Sequence, residues 1–159
     1  MAMKMTGEYT LPADRETVWQ ALNDPAILEA SIPGCEEFEK VSDTEFNALA
    51  RVKVGPVKAR FRGNVTLSDI DAPNSYRISG EGQGGVAGFA KGGALVTLSD
   101  AEGGGTVLSY DVDAQVGGKI AQVGQRLING AAKKTADQFF DNFRRQLDPD
   151  HAAPDAAAG

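Results

Sequence analysis

Between Glu36 and Val116 the chain reads as strand after strand, with only turns in between. Residues 36–41, 45–54, 57–70, 75–82, 89–99 and 106–116 have strand-like patterning. Ser42-Asp43, Gly55-Pro56, residues 71–74, Gly84-Gly85 and residues 103–105 separate them. Strands joined by short turns pair antiparallel. Such a sheet has an apolar face that another layer must cover.

The rest of the chain supplies that layer. Residues 119–147 contain no proline and repeat with a helical period. Ile120, Gly124, Leu127, Ala131 and Thr135 share one stripe, followed by Phe139, Phe143 and Leu147. A helix of about 29 residues would be about 43 Å long, enough to lie across a whole sheet. At the other end, residues 5–11 predict a strand stopped by Pro12. Asp14 is placed to cap an amphipathic helix over 15–23 that buries Val18, Trp19 and Leu22. Asp24-Pro25 breaks it, and Pro25 opens a short second helix over 26–30, ended by Ile32-Pro33-Gly34. The expectation is therefore an α+β domain over 1–147. It holds a seven-stranded antiparallel sheet, two short helices after the first strand and a long C-terminal helix. Residues 148–159, made of Ala, Asp and Pro with the single histidine, predict a disordered acidic tail.

Alternation along the strands sorts the side chains into two faces. The inward set is small: Ala48, Ala50, Val52 and Val54, then Val57, Ala59, Phe61 and Gly63, then Gly80 and Gly82, then Ala90, Gly92 and Ala94. The last strand adds Leu108, Tyr110, Val112, Ala114 and Val116. The chain has 19 glycines in 159 residues, well above the usual share of ~7%. Gly124 and Gly130 are expected inside the long helix, at ~1 kcal/mol each relative to Ala. Small residues leave room for an apolar ligand, or let helix and sheet pack closely, or mark bends in the strands. The residues alone leave all three open.

The outward set of the hairpin around Gly55-Pro56 is cationic: Arg51 and Lys53, then Lys58, Arg60 and Arg62. A two-residue turn sets Lys53 opposite Lys58 and Arg51 opposite Arg60, and facing like charges repel. In a chain of net charge −6 such a patch suits an anionic surface, either phospholipid head groups or an acidic protein face. The plainer alternative is a solvated face neutralised by Glu37, Glu39 or Glu81.

Much chemistry is excluded. The acidic balance argues against nucleic acid as a partner. The only histidine is His151, in the tail, so no histidine-based triad or His/Cys metal site falls within the fold. Gly82-Gln83-Gly84-Gly85 lies between strands rather than before a helix, so it is no phosphate loop. Cys35 has no activating histidine and reads as a small buried residue. Asp111 and Asp113 fall on the outward face and read as surface. Trp19, Phe139, Phe140 and Phe143, at helical spacing, read as core. A lone cysteine and the lack of an apolar run long enough for a signal peptide or a span predict a cytoplasmic protein.

Several segments together carry a resemblance. They are Val18-Trp19 with Asp24-Pro25, Ile32-Pro33-Gly34, Gly92-Gly93-Ala94, Gly105-Thr106 and Tyr110. Most specific is the run Ala114-Gln115-Val116-Gly117-Gly118-Lys119-Ile120-Ala121-Gln122-Val123-Gly124-Gln125-Arg126-Leu127-Ile128, followed by Phe139-Phe140. Over about residues 3–147 the chain resembles the START-like, helix-grip (SRPBCC) superfamily. Within it, the chain is similar to the family of the G subunit of carbon monoxide dehydrogenase. The resemblance implies a sheet gripping the C-terminal helix around an internal apolar cavity. It also implies a non-catalytic accessory role for a molybdenum-containing CO dehydrogenase or related hydroxylase. That role is recruitment of the enzyme to the inner face of the cell membrane, or handling of a quinone as electron acceptor. Metal, flavin and iron–sulfur chemistry would belong to the partner, and this chain would hold no covalent cofactor.

Some family members extend into an amphipathic membrane-binding segment. Here residues 148–159 carry Asp148, Asp150 and Asp155 and offer no apolar face. Membrane contact would then fall to the hairpin Arg51, Lys53, Lys58, Arg60 and Arg62, or to the cavity mouth. The expected lining for an isoprenoid quinone or lipid is Phe61, Phe89, Tyr110, Val112, Gly124, Leu127, Ile128 and Ala131, with Tyr110 donating to a carbonyl. Two other functions stay open: a docking module without ligand, and a small-molecule cyclase or hydrolase on the same fold.

Overall fold

A computed structural model describes residues 1–147. Its elements are β1 (Ala2–Leu11), α1 (Arg15–Leu22), α2 (Pro25–Ser31), β2 (Cys35–Lys40), β3 (Glu45–Val54), β4 (Val57–Asp71), β5 (Ser75–Gln83), β6 (Phe89–Asp100), β7 (Thr106–Gly117) and α3 (Gln125–Leu147). Short 3-10 turns cover Gly85–Ala87 and Lys119–Val123. The strands form one antiparallel sheet in the order β1-β7-β6-β5-β4-β3-β2. The α+β expectation holds, and each expected strand is present with ends moved by a few residues at most. The tail expected over 148–159 lies outside the described residues.

Local chemistry fixes the helical corner. The Asp14 carboxylate accepts from the Thr17 amide at 2.9 Å, and that of Asp24 accepts from the Ala26 amide at 3.0 Å. Each satisfies a donor that its helix start would otherwise leave unpaired. Pro25 opens α2, where its missing N–H costs nothing. The fully buried Thr106 hydroxyl donates to the Ala13 carbonyl at 2.7 Å, tying the β1–α1 connection to the start of β7. Asn142 of α3 donates to the Ser31 carbonyl at 3.1 Å and holds α3 against α2.

The C-terminal helix is shorter than expected. Gly124, with φ of +99°, separates the 3-10 turn from the 23-residue α3. It is therefore a break and not an interior helix position. Left-handed backbone there suits glycine. The buried stripe of α3 starts at Ile128 and continues through Ala131, Phe139 and Phe143 to Leu147, so Leu127 and Thr135 are exposed. A Cβ at Gly130 would meet nothing within 4 Å, so close approach to the sheet does not explain that glycine.

The strand glycines have another cause. A Cβ at Gly92 would overlap the Asp113 carbonyl oxygen, and one at Gly63 or Gly93 would come within 2.9 Å of a neighbouring strand's carbonyl oxygen. Adjacent backbones close up here because the sheet bends, and only hydrogen fits between them. An interior strand alanine is normally better than glycine by about 0.5–1 kcal/mol. Gly92→Ala is expected to reverse that sign and cost about 1–3 kcal/mol by overpacking. A urea midpoint at or above wild type would remove the bend from the account.

The core is divided. An upper cluster joins Leu11, Val18, Leu22, Phe46, Leu67, Tyr76, Val96, Leu98 and Leu108 to Phe143 of α3. A lower cluster joins Val54, Val116, Ile120 and Ile128, with Phe61 and Ala131 packed against it. α3 runs from the β3–β4 turn, where Leu127 adjoins Gly55, to the end of β1, and its sheet contacts concentrate on those two strands' sides. It thus bridges the middle of the sheet.

Candidate functional site

What lies beneath that bridge follows from the register. Val116 pairs with Ala90, Ala90 with Gly82, Gly82 with Gly63 and Gly63 with Ala48. One row further on, Ala114 pairs with Gly92 and Gly92 with Gly80; beyond that, Val112 pairs with Ala94. The result is a floor of small residues across five strands, between the two clusters. Ala48, Ala90, Ala94, Val112 and Ala114 are only half-buried, although their side chains point to the concave face. In a filled core, residues at the centre of a sheet would be sealed.

A crevice of about 260 Å³ opens between the edge strand β1 and α3, lined by Met5, Gly7, Tyr9, Tyr110, Asn129, Lys133 and Asp137 among others. The ring of Tyr110 lies over Gly7, its partner across the β1–β7 ladder, where any Cβ would strike it. The same ring is parallel to Phe140 at 6.0 Å and 7°, and Tyr9 stacks on Phe140 at 4.3 Å. Three aromatic rings therefore form one wall, and polar groups from α3 form the rim.

The Tyr9 hydroxyl donates to Asp137 Oδ1 at 2.5 Å, and Lys133 Nζ lies 3.4 Å from Asp137 Oδ2. Burial first, then the bonds to Asp137 and Tyr110, push the Tyr9 phenol far above its ordinary range. The Asp137 carboxyl is lowered, chiefly by the bond from Tyr9 and further by the Lys133 charge. The pair thus rests as a neutral phenol and a carboxylate. A carboxyl lowered in the folded state adds stability above its unfolded pKa, and that contribution is lost as pH falls through the lower folded value. Tyr9→Phe is expected to move the NMR titration midpoint of Asp137 up toward the ordinary ~3.9. An unmoved midpoint would leave Lys133 as the sole cause.

The structure sorts the expected lining. Phe61, Ile128 and Ala131 meet in the lower cluster, Val112 lies on the floor, and Tyr110 stands in the aromatic wall. Three residues are corrections. Gly124 is the helix break described above. Leu127, one position off the buried stripe, is 47% exposed beside the β3–β4 turn. Phe89 has the opposite parity to the inward Ala90, so it lies on the outer face, covering Gly117. Its partner on that strand pair is glycine, and the ring fills the gap. Tyr9, Asn129, Lys133 and Asp137 join the site without a sequence signal that groups them. The alternation of Met3, Met5, Gly7 and Tyr9 marks Tyr9 as inward, but nothing local in the sequence pairs it with a residue more than a hundred positions away.

The hairpin has the expected register, with Lys53 opposite Lys58 and Arg51 opposite Arg60. Its neutralising acids are Glu36 and Glu37. Glu36 sits at the β2 register shift, 2.9 Å from Arg60 and 4.0 Å from Arg51, and Glu37 lies 3.7 Å from Arg62. Lys53 and Lys58 take part in no ion pair among the described residues. Elsewhere, Cys35 is half-buried and its thiol is raised, first by burial and then by the charge of Glu29. Asp111 and Asp113 are exposed on the outer face. Trp19 meets the buried Tyr76 edge-on at 5.2 Å in the upper cluster. No group of three or more His, Cys, Asp and Glu suited to a metal ion occurs among the described residues.

Residues 7–148 match CoxG, the family of the G subunit of carbon monoxide dehydrogenase. Among solved structures, a conserved protein from Geobacillus kaustophilus is 30% identical, with a TM-score of 0.85 over 91% of this chain and 95% of that one. A START superfamily protein from Mycobacterium smegmatis superposes with a TM-score of 0.65 at 13% identity, over 92% of this chain and 96% of its own. The Zhui aromatase/cyclase from Streptomyces sp. R1128 gives 0.66 at 12%, over 94% and 95%. These last two share the fold and carry no argument about activity. Comparison with curated proteins gives no match.

Proposed function

As the chain belongs to the CoxG family of carbon monoxide dehydrogenase, we propose that it is a non-catalytic accessory protein that holds a lipophilic ligand between sheet and α3. The observation that carries this reading is the divided core: two apolar clusters separated by a half-buried floor of small residues. A crevice lies between β1 and α3, beside the Tyr9, Tyr110 and Phe140 wall. Apolar walls with a few polar groups at one end are the usual form of a small-molecule site. The ligand class is an isoprenoid quinone or a lipid. Its ring or head group meets the Tyr9, Tyr110 and Phe140 wall, and its chain lies along the floor toward Phe61 and Ala131. Asn129 and Lys133 supply donors for a carbonyl oxygen.

The partner is a molybdenum hydroxylase of the CO dehydrogenase type, with its metal and flavin chemistry confined to that enzyme. This chain recruits it to the inner face of the cell membrane or carries its electron acceptor. No helix of the described residues is long and apolar enough to cross a membrane, so membrane contact in this reading is peripheral.

The state of the crevice supports a binding role over a catalytic one. A proton-transfer group works best with a pKa near the working pH. Tyr9 is held protonated and Asp137 ionised, each moved away from neutrality. Titrating the full chain with a short-chain isoprenoid quinone tests the reading, through quenching of tyrosine emission from Tyr9 and Tyr110. Saturable quenching is expected in wild type, together with faster quinone reduction by the partner hydroxylase. Quinone turnover by the chain alone would return it to the enzymes.

A further inference from the structure

The antiparallel order sends alternate connections to opposite ends of the sheet. The β3–β4, β5–β6 and β7–α3 connections share one end. Residues 52–59, 84–90 and 117–128 contain Lys53, Lys58, Lys119 and Arg126, all exposed, and no Asp or Glu. The opposite end carries Asp14, Asp43 and Glu102 in its connections and Asp71 and Asp100 at its strand ends, with Arg15, Arg144 and Arg145 as its cations and Arg15 paired to Asp100. A chain of net charge −6 is therefore polarised along its strands.

The cationic end also exposes apolar side chains. Val86 is 93% exposed on a turn made otherwise of Gly84, Gly85, Ala87 and Gly88, and Leu127 is 47% exposed in the first turn of α3 beside Gly55. Val86 sits on the turn between β5 and β6 and Leu127 on the first turn of α3, with Lys53, Lys58, Lys119 and Arg126 on the same end. A stable protein interface needs a contiguous packed centre depleted of charge. A fluid bilayer accepts single apolar tips below the head groups and cations level with them.

We infer that this loop end, and not the outer hairpin face, docks the protein onto an anionic phospholipid surface. Arg60 pairs with Glu36 at 2.9 Å, and Arg51 and Arg62 lie within 4.0 Å of Glu36 and Glu37, whereas Lys53 and Lys58 have no such partner among the described residues and flank the turn itself. Docking in this pose turns the acidic end away from the lipid, so the net negative charge opposes it least. The inference rests on the membrane-recruitment part of the reading above and is independent of what occupies the cleft.

Flotation of the full chain with vesicles tests it. Binding is expected with vesicles of phosphatidylcholine plus phosphatidylglycerol, not with phosphatidylcholine alone, and is expected to weaken with salt. Each cation near such a surface contributes about fivefold, so Lys53→Gln with Lys58→Gln is expected to lower partitioning about twenty-fivefold. Val86→Asp, at a site too exposed to disturb the fold, is expected to lower it as well. Arg51→Gln with Arg62→Gln is expected to stay close to wild type. Equal losses for the two double variants would overturn the assignment, as would failure of wild type to float. A wild-type chain that takes up quinone but does not float would sink the docking alone and leave the ligand reading standing. Loss of hydroxylase binding in the Lys53 and Lys58 variant, without vesicle binding by wild type, would give this end to an acidic protein face and overturn the lipid assignment.

Discussion

Replacing Phe143 by alanine is expected to cost about 3–5 kcal/mol, the range for deleting a buried aromatic ring from a packed core. Phe143 is 0% exposed. Its ring is parallel to Phe139 at 5.8 Å and edge-on to Phe140 at 6.4 Å. It is the buried α3 residue in the upper cluster, where it meets side chains from α1, β1 and the middle strands. Losing it leaves a cavity that rigid strands cannot close. Domains are stable by about 5–15 kcal/mol, so a large part of the total is at stake. Urea denaturation checks this through a fall in midpoint at constant slope. The same experiment tests the division of the core. Ile128→Val, in the lower cluster, is expected to cost about 0.5–1.5 kcal/mol and to add to Phe143→Ala within about 0.5 kcal/mol. Strong coupling would mean that the two clusters are one continuous core.

Ala94→Phe is expected to abolish quinone binding, about a hundredfold or more in affinity, while leaving the protein folded and slightly more stable. Ala94 is half-buried at the centre of the floor, opposite Ile78 on one side and Val112 on the other. If the space above it is unfilled, a phenyl ring enters it and stabilises by about 0.5–2 kcal/mol, as cavity filling does. If the space is already packed, the ring must displace its neighbours at about 1–3 kcal/mol. The two accounts predict opposite signs for the shift in melting temperature. A lower melting temperature with ligand binding intact would contradict both the hollow and its use.

The parts of the fold set by local rules are legible from the residues. Alternation marks the strands and their faces, Gly55-Pro56 sets the hairpin register, and Asp14 and Asp24-Pro25 define the helical corner. The long helix departs from its expected length for a local reason too. A glycine in a helical pattern is compatible with both interior and break, and only the φ of Gly124 separates them. Within α3 the pattern offers both Leu127 and Ile128 to the core, and Ile128 is the one buried. Phe89 on the lining contradicts its own strand's alternation.

The site is less legible because it is made across distance. Tyr9 meets Asp137 and Tyr110 through the β1–β7 register and the path of α3, and neither is encoded near those residues. The small floor is visible in the sequence as a set of Ala and Gly. Whether it lies under packed side chains or under space depends on where α3 touches the sheet. Of the acids expected to neutralise the hairpin, Glu37 does lie beside Arg62, and Glu36 joins it because a register shift in β2 turns it toward Arg60.

Native mass spectrometry of the full chain, purified from quinone-producing cells, tests the central claim most directly. One apolar ligand per chain, released by organic solvent as an isoprenoid quinone or lipid and missing from Ala94→Phe, is the predicted result. A wild-type mass equal to that of the polypeptide alone, unchanged after incubation with quinones and lipids, would contradict the account.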